Sequence, residues 1–329
     1  MADATDAGTK LFSFDTEQKV FEIAGIKVGG QPGVNPPLLI PSMFQKGDPA
    51  IESRRQRKFN KQLAGDYIKR MEELSEMTGM PALVAMVANQ GEEMKNYIDF
   101  YVENTDLPFA IDMWNLDPRM EATKYVAEQG LQDRLLYNSV TVWSPDIPAE
   151  VEQIKELGVK HVVTVVMDMV NQMPSGRLSS LDDMLEKMKP GEFESILVDT
   201  SVMNLPATGI CALANRMVKQ KHGLPAGSAS ANGTYMWQKS TYRDNREKWG
   251  ENAFVGLDAG THAASVALWG DFIFSGPMWG MDSVFPAVAA AHSMVSVMNY
   301  AETGQLTQNE SSPLHKLWPD YVKTLKGEE

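Results

Sequence analysis

The stretch from Leu107 to Ser144, LPFAIDMWNLDPRMEATKYVAEQGLQDRLLYNSVTVWS, holds a strand, a helix and a second strand with little to spare between them. Pro108 to Met113 is short and mostly apolar, as expected of a strand covered on both faces. Asp117 followed by Pro118 reads as a helix N-cap with proline in the first turn. Met120, Tyr125 and Val126 supply apolar helix positions, and Gly130 stands where a left-handed helix stop belongs. Leu135, Leu136 and Tyr137 then open the next strand. Two polar residues, Asp112 and Asn138, fall where these strands end. In a barrel of parallel strands both open into one pocket.

The same unit recurs along the chain. LFSFDTEQKVFEIAGIKVGG, from Leu11, reads as a β-hairpin of the kind that plugs a barrel floor, and QPGVNPP as a linker. Leu38–Met43 is a first strand, the segment from Ile51 to Met77 is helical, and Ala82–Ala88 is a second strand. Residues 91–104 form the next helix. IPAEVEQIKELG is a helix stopped by Gly158, and Val162–Met167 is a strand ending at Asp168. Leu181–Met188 is a short helix, SILVD a strand ending at Asp199, and Ala207–Val218 an apolar helix. PAGSASANG carries a seventh strand and its loop. Ala259–Trp269 is helical, DFIFSG is an eighth strand, and a long apolar helix follows Asp282. Eight strands alternating with helices predict an α/β fold, a TIM (β/α)8 barrel with an N-terminal β-hairpin. The divisions are a disordered start at 1–10, a barrel domain at 11–303 with its hairpin at 11–36, and a tail at 304–329. In that tail Leu317, Trp318 and Tyr321 are expected to dock on the barrel or on another subunit.

Composition narrows the function. A formal charge of −13 over 329 residues argues against a nucleic-acid partner, which needs a basic face. No apolar run in the sequence reads as a membrane span, and MADATDAGTK lacks the features of a secretory signal. One cysteine excludes an intramolecular disulfide framework, so a reducing cytoplasm is expected. The five histidines show no HxxxH, HxH or Cys/His spacing, so no metal site is expected. His262 and His292 read as packed helix residues, and Cys211 as core.

Asp112, Asn138, Asp168 and Asp199 all stand at predicted strand C-termini, where barrel enzymes place function. Singly, each could be a loop cap. Together they form a ring of acceptors, costly to bury without a ligand rich in N–H donors. The aminopyrimidinone edge of a pterin is such a ligand, because one carboxylate accepts two parallel hydrogen bonds from it.

SFDTEQKVFEIAGIKVGGQPG, the LDPRMEATKYV helix and DFIFSGPM resemble the family of the MtrH subunit of tetrahydromethanopterin S-methyltransferase, over most of the chain. Within it the chain is similar to methylcorrinoid:tetrahydrofolate methyltransferases of glycine betaine metabolism, and more distantly to dihydropteroate synthase. The resemblance implies a barrel that binds a pterin at its mouth. It places Asp112 and Asn138 against the pterin ring and Asp199 on its 2-amino and N3 edge. It puts an asparagine near N5 within SASAN, where a gap-free match falls on Ser230 and the chemistry on Asn232. Asn232, Asp112 and Asn138 are therefore the expected residues at the reacting half, with no residue suited to covalent catalysis. The implied reaction passes a methyl group from a methyl-Co(III) corrinoid to N5 of tetrahydrofolate. No D-x-H-x-x-G motif is present, so methylcobalamin should arrive on a separate corrinoid-binding protein. A homodimer is the family expectation. Competing readings are the same transfer with tetrahydromethanopterin, a non-catalytic docking subunit for the corrinoid protein, and a dihydropteroate-type synthase.

Overall fold

The computed structural model describes residues 10–328, so the start expected to be disordered lies, apart from Lys10, outside the described residues. β1 (Val20–Ile23) and β2 (Ile26–Gly29) pair antiparallel as a hairpin. β3 (Leu38–Met43) follows, and then a difference from expectation. A small antiparallel pair, β4 (Ile51–Ser53) and β5 (Lys58–Phe59), occupies the start of the segment read as one helix. The Asp48 carboxylate fixes that turn by accepting the N–H groups of Phe44 (2.6 Å) and Ala50 (2.8 Å). Helix α1 (Lys61–Thr78) begins only where the Asn60 side chain accepts the Leu63 N–H as an N-cap.

Strand and helix then alternate: β6 (Val84–Val87), α2 (Gly91–Asn104), β7 (Phe109–Asp112), α3 (Leu116–Glu128), β8 (Leu135–Thr141), α4 (Ile147–Glu156), β9 (His161–Val165), α5 (Pro174–Met188), β10 (Ser195–Asp199), α6 (Ala207–His222) and β11 (Ala226–Ser228). The chain continues through α7 (Ser230–Trp237), α8 (Arg246–Trp249), α9 (Ala253–Ala267), β12 (Phe272–Pro277) and α10 (Met281–Thr303). β3, β6, β7, β8, β9, β10, β11 and β12 close in that order into a parallel barrel, a TIM (β/α)8 fold.

Period-2 alternation divides the apolar residues into two layers. Leu38, Ile40, Ala110, Leu136, Val163, Leu197 and Phe272 fill the barrel interior, and Ile23 and Val28 of the hairpin close that interior from below. Their neighbours Phe109, Ile111, Tyr137, Val162 and Val198 face outward into the layer beneath the helices. A buried ion pair secures the floor: the Lys219 ammonium donates to the Asp271 carboxylate (2.7 Å) and to the Gly30 carbonyl (2.9 Å).

Three further details differ from the sequence reading. Asn115 rather than Asp117 is the N-cap of α3, which places Asp117 and Pro118 inside its first turn. α10 is long and apolar enough by composition to cross a membrane, contrary to the expectation that no segment is. Phe285, Val288, Ala289 and Ala291 on it are nevertheless buried against the barrel layer. In the tail, α11 (Pro313–Leu317) and α12 (Pro319–Lys326) dock through Leu314 and Val322, leaving Leu317, Trp318 and Tyr321 partly exposed.

Candidate functional site

A cavity of about 780 Å³ opens at the C-terminal end of the barrel. The inward alternation decides which side chains face it. Two residues beyond inward-facing Ala110, Leu136 and Leu197 stand Asp112, Asn138 and Asp199, and all three line the cavity. A register shift between Asn138 and Val140 in the β8–β9 ladder inserts Ser139 as an extra residue. The shift resets the alternation, so Val140 packs outward while Asn138, Ser139 and Thr141 all border the cavity.

Asp112 is half-buried and faces the cavity, and no side-chain hydrogen bond ties its carboxyl to another described residue. Burial pushes its pKa up to about 6, against the pull of the Arg119 guanidinium. Arg119 is itself buried. Its guanidinium donates to the carbonyls of Met113 (2.7 Å) and Trp114 (3.3 Å), to the Tyr137 hydroxyl (2.8 Å) and to the Glu150 carboxylate (2.9 Å). The backbone just past Asp112 is thereby pinned to α4.

Asp199 is buried, and its pKa is likewise pushed up to about 6 by desolvation. The N–H of Ser201 (2.7 Å), the Arg177 charge and the Ala229 N–H work against that rise, while the Asp112 charge adds to it. Ser201 holds a left-handed backbone, φ 61°. Arg177, 1% exposed, secures this turn by donating to the carbonyls of Thr200 (2.5 Å), Ser201 (3.1 Å) and Gln172. The Thr200 hydroxyl in turn donates to the Asn215 side chain (2.9 Å) on α6.

SASAN is not the loop that its small residues imply. Ser228 ends β11, and from Ser230 the chain is helix α7, in which Gly233 packs so close to Leu205 that an added Cβ would lie 2.9 Å from the Leu205 Cα. The Ser230 hydroxyl is buried beneath the helix within hydrogen-bonding distance of Ser228 (3.3 Å) and Ser265 (2.8 Å). Asn232, exposed on another face of the helix, lines the cavity. Of the two candidates, Asn232 is the one that can meet a ligand, and Ser230 is a packing residue. Asp168 does not join the ring either. β9 ends at Val165, which takes that strand's inward seat at the cavity. Asp168 lies three residues on, and its carboxylate accepts the N–H groups of Val170 (2.8 Å) and Asn171 (3.0 Å), which lowers its pKa.

Among the described residues no group of three or more His, Cys, Asp or Glu is arranged to hold a metal ion. His262, His292 and Cys211 are buried as expected. Arg119 and Arg177 escaped the sequence reading because an arginine that serves backbone carbonyls needs no motif. Trp114 and Trp143, both on the cavity wall, carried only the signal of tryptophan in a predicted loop.

The family model described as tetrahydromethanopterin S-methyltransferase MtrH subunit matches residues 16–305. The MtrH subunit of tetrahydromethanopterin S-methyltransferase from Methanothermobacter thermautotrophicus is 31% identical over 297 residues, covering 87% of this chain and 94% of that one. Its counterpart from Methanocaldococcus jannaschii is 31% identical over 302 residues, with the same coverage of 87% and 94%. Among solved structures, dihydropteroate synthase of Yersinia pestis, bound to a pterine-sulfa conjugate, superposes with a TM-score of 0.57 at 11% identity, covering 84% of this chain and 99% of its own. Dihydropteroate synthase of Coxiella burnetii, in complex with pteroic acid, gives 0.55 at 12% identity, with coverage of 84% and 99%. At such identities the likeness is one of fold.

Proposed function

The chain belongs to the MtrH family of tetrahydromethanopterin S-methyltransferase subunits, and from that premise we propose that it transfers a methyl group between a corrinoid carried by a partner protein and N5 of a reduced pterin. The observation that carries this reading is the pair of carboxyls, Asp112 and Asp199, bordering one cavity with Asn138 and Asn232 beside them. Two desolvated carboxyls, Asp199 buried and Asp112 half-buried, with pKa values near 6 are ionised at neutral pH at a cost, which a ligand offering paired N–H donors offsets. Asp199 anchors the 2-amino and N3 edge. Asn138 and Asn232 can each donate and accept, so they suit a nitrogen whose protonation changes in the reaction.

In the transfer the N5 lone pair forms the new bond to the methyl carbon. The cobalt–carbon electron pair stays with cobalt, giving Co(I), and the N5 proton goes to solvent. The chain's part is to orient the acceptor ring and keep its N5 accessible. An exposed rim that includes Met169 and Met203 suits the docking of a carrier protein over the mouth. A homodimer is supported by the outward face of α9, where Val255, Gly256, Gly260, Ala264 and Leu268 are exposed and the helix's ionisable residues, Asp258 and His262, are buried. Gly260→Arg should then yield monomers in light scattering. The single buried cysteine accords with a cytoplasmic setting.

The names of the curated relatives support tetrahydromethanopterin as the pterin more directly than tetrahydrofolate or a role in glycine betaine metabolism. Parallel titrations with the two pterins decide between them. Methyl transfer is tested anaerobically with free methylcobalamin and each pterin, following the cobalt absorbance. Conversion of methyl-Co(III) to Co(I) with N5-methylpterin formed is the expected outcome. Pterin binding without transfer, even with a corrinoid carrier protein supplied, would establish the docking-subunit reading instead.

A further inference from the structure

Trp114 and Trp143 stand on the cavity wall, 77% and 39% exposed. Apolar rings this open on a cavity wall are usually there for a partner. Their backbones, by contrast, are held. Arg119 donates to the Trp114 carbonyl (3.3 Å), and the Trp143 N–H donates to the Thr141 hydroxyl (3.2 Å). The ring centroids lie 5.9 Å apart with planes inclined at 37°. The pair is thus an exposed aromatic surface on a fixed frame, so that little ordering entropy opposes a contact with it.

Its position follows from the strands. Trp114 is two residues past Asp112, and Trp143 two past Thr141 at the end of β8, so both rise above the Asp112–Asn138 side of the mouth. This inference rests on the pterin reading above. A bicycle held at the strand ends by Asp112, Asn138 and Asp199 sends its C6 substituent outward through the mouth, past the residues that rise above those ends. Tetrahydrofolate and tetrahydromethanopterin both carry an arylamine there. We infer that Trp114 and Trp143 form the binding platform for that aryl group. The platform supplies affinity outside the ring pocket and sets the direction in which the rest of the acceptor leaves the mouth. Stacking on an aromatic face suits the aryl ring and demands no particular substituent on it.

The test compares arylated pterins, tetrahydrofolate and tetrahydromethanopterin, with 6-methyltetrahydropterin, which has the same bicycle and no aryl group. Anaerobic calorimetry on the full chain should show Trp114→Ala and Trp143→Ala weakening the arylated pterins about tenfold each. Affinity for 6-methyltetrahydropterin should not change, and Trp114→Phe should recover most of the loss. Equal weakening of both ligand types would overturn the assignment, since the pair would then serve the bicycle or the fold. Unchanged arylated-pterin affinity with a raised KM for methylcobalamin would also overturn it and give the pair to the corrinoid. If the unmutated protein binds neither ligand type, the pterin reading itself has failed and the platform falls with it. If it binds 6-methyltetrahydropterin but gains nothing from the aryl group, the platform alone fails.

Discussion

The two sides of the barrel mouth solve one problem with opposite electrostatics. On the β7–β8 side a buried arginine, Arg119, fixes the backbone behind Asp112, and its charge is met directly by Glu150 at 2.9 Å. On the β10 side a buried arginine, Arg177, fixes the backbone behind Asp199, but its hydrogen bonds go to carbonyls and no described carboxylate lies in salt-bridge range. Arg177 pulls the Asp199 pKa down against its desolvation, as Arg119 does for Asp112. Arg119 thus acts on both Glu150 and Asp112, whereas Arg177 acts on Asp199 with no ion-pair partner among the described residues. Both carboxyls nevertheless end at the same place, pushed up to about 6 by desolvation, so each can take up a proton near neutral pH.

Removing either arginine should expose the difference most strongly. Arg119→Met strands the buried Glu150 carboxylate, and urea unfolding should show a loss of about 3–5 kcal/mol. Adding Glu150→Gln should return most of that loss in a double-mutant cycle. Arg177→Met should cost about 2–3 kcal/mol through its unpaired carbonyls, and no carboxylate substitution should rescue it. Rescue of Arg177→Met by Asp199→Asn to the same degree would erase the distinction between the two sides.

Pterin affinity comes next. Asp199→Ala and Asp112→Ala should each weaken binding by about 2–3 kcal/mol, the scale of a lost charge-assisted hydrogen bond. Calorimetry across pH should show where the two sides agree. Binding by the unmutated protein should strengthen as pH rises through about 6, where the two carboxyls ionise. Asp199→Asn and Asp112→Asn should each remove part of that dependence.

The same pKa values predict a stability effect of the opposite sign. A carboxyl whose pKa is raised by folding takes protons more readily when native, so its ionisation opposes folding above pH 6. Asp112→Asn should therefore raise unfolding stability by about 1–3 kcal/mol at neutral pH, with the gain vanishing below about pH 4, where both states are protonated. Asp199→Asn should gain a similar amount, because its rise to about 6 already includes the pull of Arg177 and the Ser201 N–H. The smallest effect belongs to Asp168→Ala, which should leave pterin binding unchanged and cost under about 1 kcal/mol by freeing two backbone N–H groups.

What the sequence makes legible follows from periodicity. Leu38–Met43, Gly91–Asn104 and Ser195–Asp199 appear with the bounds that pattern alone suggests, because a short apolar run or helical spacing is bounded by proline, glycine or a polar residue on at least one side. The inward seats of Asp112, Asn138 and Asp199 follow from the same period. The reading breaks where local signals oppose the fold. SASAN has the composition of a loop, yet Ser228 ends β11, and close packing of Gly233 and buried serine hydroxyls hold Ser230 to Asn232 in α7. The charged run after Ile51 suggests helix, but Asp48 and Asn60 impose turns on either side. Asp168 misleads because strand ends are uncertain by a few residues, and a displacement of three takes a side chain from the inner wall to the rim. Arg119 and Arg177 lie beyond pattern reading altogether, since what they grip is the main chain of another segment.

The hairpin that seats Ile23 and Val28 in the barrel floor also sets a traffic rule. With the lower end stoppered, both reactants must share the mouth, and whichever lies deeper has to arrive first and depart last. The pterin, against the strand ends, would be loaded before the carrier docks and released only after the carrier leaves. Initial-rate kinetics should accordingly be sequential and ordered, and the methylated pterin should compete with its own precursor for the free protein but not with the carrier.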